Sequence, residues 1–186
     1  MRYAPEHNET ARARILDAAS RQFREHGIDG VGLAKIMAEA GLTVGTFYTH
    51  FESKETLLRE VLRRSLEARY EELAQGGDLE TAVRAYLSPE HRDRPETGCP
   101  VASLASEVAR HPRTTRSTLT SSLEPSLDLL VELLSKPKGK KVTRAEAGAF
   151  LGLLAGTLQL ARATPDRAES AAILDAGIRA ALQLAK

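Results

Sequence analysis

The chain has 186 residues, and its 26 Lys and Arg stand against 25 Asp and Glu for a formal charge of +1. That balance excludes a uniformly basic nucleic-acid binder and leaves only a locally basic face. Apolar residues make up 42% of the chain and charged residues 27%, proportions that support a packed core and exclude a disordered chain; no apolar run reaches the ~18 residues of a membrane span. The single cysteine, Cys99, excludes an internal disulfide framework and a Cys-rich zinc site. The polar stretch Met1–Glu9 lacks a signal-peptide core, so a reducing, cytoplasmic setting is expected.

The pattern predicts an all-α chain of about nine helices, with no stretch of period-2 alternation. A first helix is expected from Asn8 or Thr10, either of which can cap it, with Ile15, Leu16, Ala19 and Phe23 as its apolar stripe and Gly27 as its end. A short helix, Leu33 to Ala40, follows and stops at Gly41. Thr43 then caps a third short helix carrying Val44-Gly45-Thr46-Phe47-Tyr48-Thr49-His50. Two short helices joined by a three-residue turn containing Gly form a helix-turn-helix. A fourth helix starts at Ser53, buries Leu57, Leu58, Val61, Leu62 and Leu66, and runs to about Leu73. The expected division falls inside it, giving a helix-turn-helix domain at 1–62 and a helical ligand-binding and dimerisation bundle at 63–186.

In the second half, Leu79 to Tyr86 reads as a short helix, Ser88 to Gly98 as a charged loop, and Pro100 to Arg110 as another short helix. Thr114 to Leu134 is a longer helix that Pro125 is expected to kink or split. Residues 137–141 read as a basic surface loop. Thr143-Arg144-Ala145-Glu146 matches a capping box, and Thr164-Pro165 reads as a cap followed by Pro at the first helical position. The last two helices are rich in Ala and Gly between their large residues, which suggests a flat seam within the chain or between two copies.

The chemistry concentrates between Leu33 and Lys54. A recognition helix must present its N-terminal end to a major groove about 12 Å wide. Gly41 makes the turn, and Val44, Gly45 and Thr46 form a small tip. Gly45 permits close backbone approach, the Val44 and Thr46 methyls suit thymine methyls, and the Thr46 hydroxyl suits either base type. Tyr48 and His50 lie further along, within reach of phosphates, and Lys54 in the first turn of the next helix joins its free N–H groups in a phosphate site. Phe47 and Phe51 are expected to point inward. The bland alternative is a Gly-terminated helix pair in a bundle, which gives no reason for small polar residues at the tip.

The run Gly41-Leu42-Thr43-Val44-Gly45-Thr46-Phe47-Tyr48-Thr49-His50-Phe51-Glu52-Ser53-Lys54-Glu55-Thr56-Leu57 resembles the signature of the TetR family of transcriptional regulators, and Ile15-Leu16-Asp17-Ala18-Ala19 with Phe23 and Gly27 is similar to that family's first helix. The resemblance covers about residues 10 to 62. It implies a homodimer, here through the last two helices, that binds double-stranded palindromic operator DNA. It places Thr43, Val44, Gly45 and Thr46 at base contacts, Tyr48, His50 and Lys54 at phosphates, and Lys35 at the backbone. Gly32 departs from the usual Ser or Thr cap, and one phosphate contact is in doubt there. Residues 1–64 hold ten Lys and Arg against nine Asp and Glu, so few phosphate contacts per head are expected.

Cys99 sits in Gly98-Cys99-Pro100 at the expected start of a helix, where the dipole and free N–H groups favour a thiolate, with Arg92 and Arg94 nearby in sequence. The context resembles a TetR subgroup that includes electrophile and redox sensors. The alternative is a small buried residue in a pocket wall. Ser103, Ser106 and Glu107 read as a solvated face or as pocket lining. No helical His pair or acid cluster marks a metal site, and no cofactor is expected. The expected function is a regulator, most simply a repressor, released from its operator by a small-molecule or electrophile inducer or by modification of Cys99, and not an enzyme. Two other readings stay open on the residues alone: a thiol-dependent enzyme using Cys99 with His91 or His111, and an all-helical interaction module without DNA binding.

Overall fold

The computed structural model describes residues 5–136 and 141–185, with side chains from residue 9 onward. Its elements, in order, are α1 (Pro5–His26), α2 (Leu33–Glu39), α3 (Val44–His50), α4 (Lys54–Gln75), α5 (Leu79–Tyr86), α6 (Pro89–Asp93), a 3-10 turn (Pro95–Thr97), α7 (Pro100–Val108), α8 (Arg113–Ser135), α9 (Arg144–Ala163) and α10 (Arg167–Leu184). Among the described residues there is no strand, and nine of the α-helices have seven residues or more, as the helical periodicity predicts.

Two apolar cores account for the arrangement. In the first, Ile15, Leu16, Ala19 and Phe23 of α1 pack with Ile36 and Met37 of α2, Phe47 of α3, and Leu57, Leu58, Val61 and Leu62 of α4. Burying a side chain of this size stabilises by about 1.5–3 kcal/mol, so the short α2 and α3 are held by packing rather than by propensity. In the second core, Val83, Leu130, Leu134, Phe150, Leu151, Leu154, Leu158 and Leu174 come together from α5, α8, α9 and α10. α4 is the common element: its first turns close the head core, and its length lies along α8. α7 crosses from one core to the other, with Leu104 and Val108 in the first and Ala102 in the second.

Several local expectations need correction. α1 is already under way at Pro5, so neither Asn8 nor Thr10 is its cap. The stretch from Ser88 to Gly98 is not a loop: the Ser88 hydroxyl accepts from the His91 N–H at 3.1 Å and starts α6, and the 3-10 turn follows. Helices of five and three residues span too little of a 3.6-residue period to show an apolar stripe. Pro125 does not split α8, which runs 23 residues through it. Packing of Thr115, Ser126, Leu130, Leu133 and Leu134 on one face outweighs one missing backbone donor. The Thr143–Glu146 capping box is formed. Thr164 instead closes α9, its hydroxyl donating to the Leu160 carbonyl, and Asp166 caps α10 by accepting from the Glu169 N–H at 2.7 Å. The expected basic loop at 137–141 lies, apart from Lys141, outside the described residues.

Candidate nucleic-acid interface and buried cavity

The helix-turn-helix is built from local chemistry. Gly41 sits at φ +65°, the left-handed conformation that ends a helix at no Cβ penalty. Thr43 caps α3, accepting from the Thr46 N–H at 3.4 Å, and the two threonine hydroxyls lie 3.0 Å apart. Phe47 is fully buried and stacks on Phe51 at 5.7 Å between ring centroids. The opposite face of α3 is left open among the described residues: Val44 is 40% exposed and Tyr48 62%, the Tyr48 ring touching Phe47 edge-on. Gly45 is exposed, and a Cβ there would meet only the Thr43 hydroxyl at 3.8 Å, an ordinary contact. Nothing among the described residues asks for glycine at this position.

The other predicted residues lie on α2, at the end of α3 and in the first turn of α4. Lys35 is exposed on α2. His50 is half-buried at the end of α3, and its pKa is lowered by burial and then by the Arg12 charge, so its imidazole is neutral at pH 7. Lys54 is half-buried, and its ammonium donates to the Ile28 carbonyl at 2.5 Å and lies 5.8 Å from the Phe23 ring centroid. It therefore clamps α4 to the α1–α2 connection. Many head cations are neutralised internally: Arg12 pairs with Glu60, Arg21 with Glu39, Arg63 with Glu60 and Glu67, and Arg64 with Asp17. Among the described residues Lys35 and Lys54 make no ion pair.

The second core borders a partly open cavity of about 170 Å³ between α4, α5, α8 and α9. Leu66, Leu130, Phe150, Leu151 and Leu154 supply apolar wall; Arg69, Glu72, Tyr86, Cys99 and Ser126 supply the polar groups. Cys99 is 5% exposed and stands just before the first turn of α7. Its N–H donates to Nε2 of His91 at 2.9 Å, while Nδ1 of His91 lies 2.7 Å from the Tyr86 carbonyl. That pair of contacts requires the neutral imidazole with its proton on Nδ1, and burial, joined by the Arg69 and Arg162 charges, lowers the His91 pKa to about 4. Arg162 locks the same corner by donating to the His91 and Arg92 carbonyls at 2.7 and 3.1 Å. Arg92 and Arg94 are not the thiol's neighbours, since they pair with Asp93 and Glu90. His111 is also elsewhere, 3.0 Å from Glu55. Among the described residues no group of three or more His, Cys, Asp or Glu is arranged to hold a metal ion.

Three ties join this region to the head, and none is legible in the sequence. The Glu107 carboxylate of α7 accepts from the Ile28 N–H at 2.8 Å and the Asp29 N–H at 3.4 Å, so it is neither a pocket residue nor a solvated one. Arg24 of α1 donates to the Gly98 carbonyl at 3.1 Å. Glu55, in the first turn of α4, accepts from Thr115 and faces His111. Partners 56 to 79 residues apart leave no local pattern; Tyr86 and Arg69, which line the cavity, gave none either.

Residues 15–61 match the family described as bacterial regulatory proteins, tetR family. The repressor KstR2 of Rhodococcus jostii is 30% identical over 116 residues, 60% of this chain and 57% of that protein. The regulator TtgR of Pseudomonas putida is 35% identical over 83 residues, 45% of this chain and 39% of that protein. These matches therefore span between about two-fifths and three-fifths of the curated relatives' length. Among solved structures, the reduced form of NemR from E. coli superposes with a TM-score of 0.74 at 20% identity, covering 92% of this chain and 94% of that one. SCO4454, a TetR-family transcriptional regulator from Streptomyces coelicolor, superposes with a TM-score of 0.68 at 25% identity, covering 96% and 97%. Taken with the helix-turn-helix geometry, these likenesses show that residues 15–61 form a DNA-binding domain of the tetR family of bacterial regulatory proteins, in a chain with the fold of SCO4454.

Proposed function

We propose that the protein is a cytoplasmic, non-enzymatic transcriptional regulator, a repressor that binds a palindromic operator as a homodimer and leaves it when the cavity is filled or Cys99 is modified. The observation that carries the reading is the tip of α3. A helix of seven residues is anchored by one buried aromatic, Phe47, while Val44, Gly45 and Tyr48 on its other face are left exposed. Val44, Gly45 and Thr46 meet base edges; Thr43, besides capping, borders them; Tyr48, His50, Lys54 and Lys35 meet the backbone. A neutral His50 contributes a hydrogen bond rather than a charge.

Dimerisation through α9 and α10 is supported by what these helices leave open. Gly177 is filled by Thr157 and Leu87 and belongs to the seam inside the chain, whereas a Cβ on Gly148, Gly152 or Gly156 would meet none of the described residues within 4 Å. Leu160 and Leu184 are 63% and 65% exposed on the same pair of helices. The domain division falls within α4, at the change from head core to cavity wall near residue 62. α7 is the mechanical link. It begins at Cys99 in the cavity wall and ends with Leu104, Glu107 and Val108 attached to the head. A ligand that shifts α7 re-sets the spacing of the two heads, and binding to half-sites one helical turn apart depends on that spacing.

The test is selection from a random double-stranded DNA library, followed by binding of the enriched site. The reading requires a two-fold symmetric site bound by two chains, with binding lost in Thr46→Ala combined with Tyr48→Ala at unchanged helicity. Failure to enrich any sequence would refute it.

A further inference from the structure

We propose that the cavity takes a small, neutral, single-ring compound carrying one hydrogen-bond-accepting oxygen, an aryl ketone such as acetophenone, seated with that oxygen on the Tyr86 hydroxyl. The assignment rests on the regulator reading for its consequence at DNA, and on the cavity alone for the binding itself.

Three observations converge. The volume, about 170 Å³, sets the size: an engineered apolar cavity of about 150 Å³ holds benzene, so one ring with a two-carbon substituent is the scale of the site. The lining sets the polarity. Leu66, Leu130, Phe150 and Leu154 surround the space, and the two charged side chains at it, Arg69 and Glu72, are paired with each other across one turn of α4. A charged ligand would find no uncommitted counter-charge there. The third observation fixes the functional group. Among the described residues the Tyr86 hydroxyl is buried with no hydrogen-bond partner of ordinary geometry. Its polar neighbour is the Cys99 thiol, a weak donor and weaker acceptor. Burial, with that thiol adding to it, raises the phenol's pKa well above its ordinary value, so the group stays protonated and acts as a donor. A buried donor without an acceptor is destabilising, and an oxygen on the ligand satisfies it. The thiol beside it offers a polarisable surface for the ring.

The experiment is calorimetric titration of the full chain with acetophenone, toluene and benzoate, on the native protein and on Tyr86→Phe. The expected result is that acetophenone binds about 3- to 10-fold more tightly than toluene, the range of one neutral hydrogen bond, and that benzoate binds more weakly than both. In Tyr86→Phe the advantage over toluene disappears while toluene binding is unchanged. The unliganded variant melts no lower than the native chain, because a lone buried hydroxyl has been removed; a merely structural tyrosine would lower the melting point. As a second variant, Leu130→Trp narrows the cavity and weakens binding of both neutral compounds. Equal affinities for acetophenone and toluene, an advantage that survives in Tyr86→Phe, or no binding at all overturns the assignment. Operator binding by the same preparation separates the two claims: DNA binding without ligand binding overturns only the ligand class, and ligand binding without DNA binding overturns only the regulator reading.

Discussion

Gly45→Ala separates a surface shaped for the fold from one shaped for a partner. Gly45 is the second residue of α3, is exposed, has no left-handed φ, and offers an added methyl group ordinary contact with the Thr43 hydroxyl at 3.8 Å. Alanine in a helix interior is worth about 1 kcal/mol over glycine, and roughly half that in the first turn. The variant is therefore expected to gain about 0.5 kcal/mol, a melting point about 1–2 °C higher for a chain of this size. At DNA the sign reverses. A methyl group added where the α3 backbone meets the groove holds each head off and weakens one base contact per half-site, about 1–1.5 kcal/mol each. Over two half-sites this amounts to roughly 30- to 160-fold in Kd. Thermal unfolding and fluorescence-anisotropy titration on the selected operator measure the two effects. A variant that is more stable and binds as tightly as the native chain would show that the tip does not approach bases closely, and the interface drawn here would be wrong.

Other expectations follow from the same geometry. Operator affinity should fall with salt only modestly: the two lysines that flank each tip, Lys35 and Lys54, give about four phosphate contacts in a dimer and a slope of log K against log salt near −4; a slope steeper than about −8 would contradict a head whose arginines are largely neutralised by its own acids. Stability should fall in mild acid through His91, whose folded pKa of about 4 lies below the ordinary 6.5. The unfolded chain binds the proton first, so the contribution is complete above about pH 6.5 and is lost as pH falls toward 4, about 2 kcal/mol by pH 5. His91→Gln should flatten that limb of the denaturation-against-pH curve, and an unchanged limb would place the acid sensitivity elsewhere. Glu107→Ala removes a charged acceptor from the Ile28 N–H and should cost about 1.5–3 kcal/mol in chemical denaturation; it should also weaken the response of operator binding to a cavity ligand, and a response of native size would remove α7 from the link.

What the sequence discloses and what it hides divide along a physical line. Signals that act over three or four residues are readable: Thr43 as a cap, Gly41 as a turn, Phe47 and Phe51 as anchors, Thr143 and Glu146 as a capping box. These interactions are complete within one turn, so residue type and spacing specify them. The single turn at α6 fails this test because it is shorter than the pattern used to detect helices. Thr164 and Asp166 compete for the same cap two residues apart, and the carboxylate wins on acceptor strength. Lys54 shows the limit within the motif itself: its position is legible, but its bond to the Ile28 carbonyl, 26 residues away, is not. The cavity is less legible still. Its helices α8 and α9 were expected from their leucines, yet Arg69, Glu72 and Tyr86 enter from α4 and α5, and only the assembled fold brings them to Cys99.

The most direct measurement is methylation interference on the selected operator, which reads guanine N7 in the major groove. Two patches of interference are predicted, related by a two-fold axis and centred one helical turn, about 34–36 Å, apart, with both patches fading together in Gly45→Ala. A single patch, or binding that is indifferent to N7 methylation throughout the site, would show that α3 does not enter the major groove in pairs.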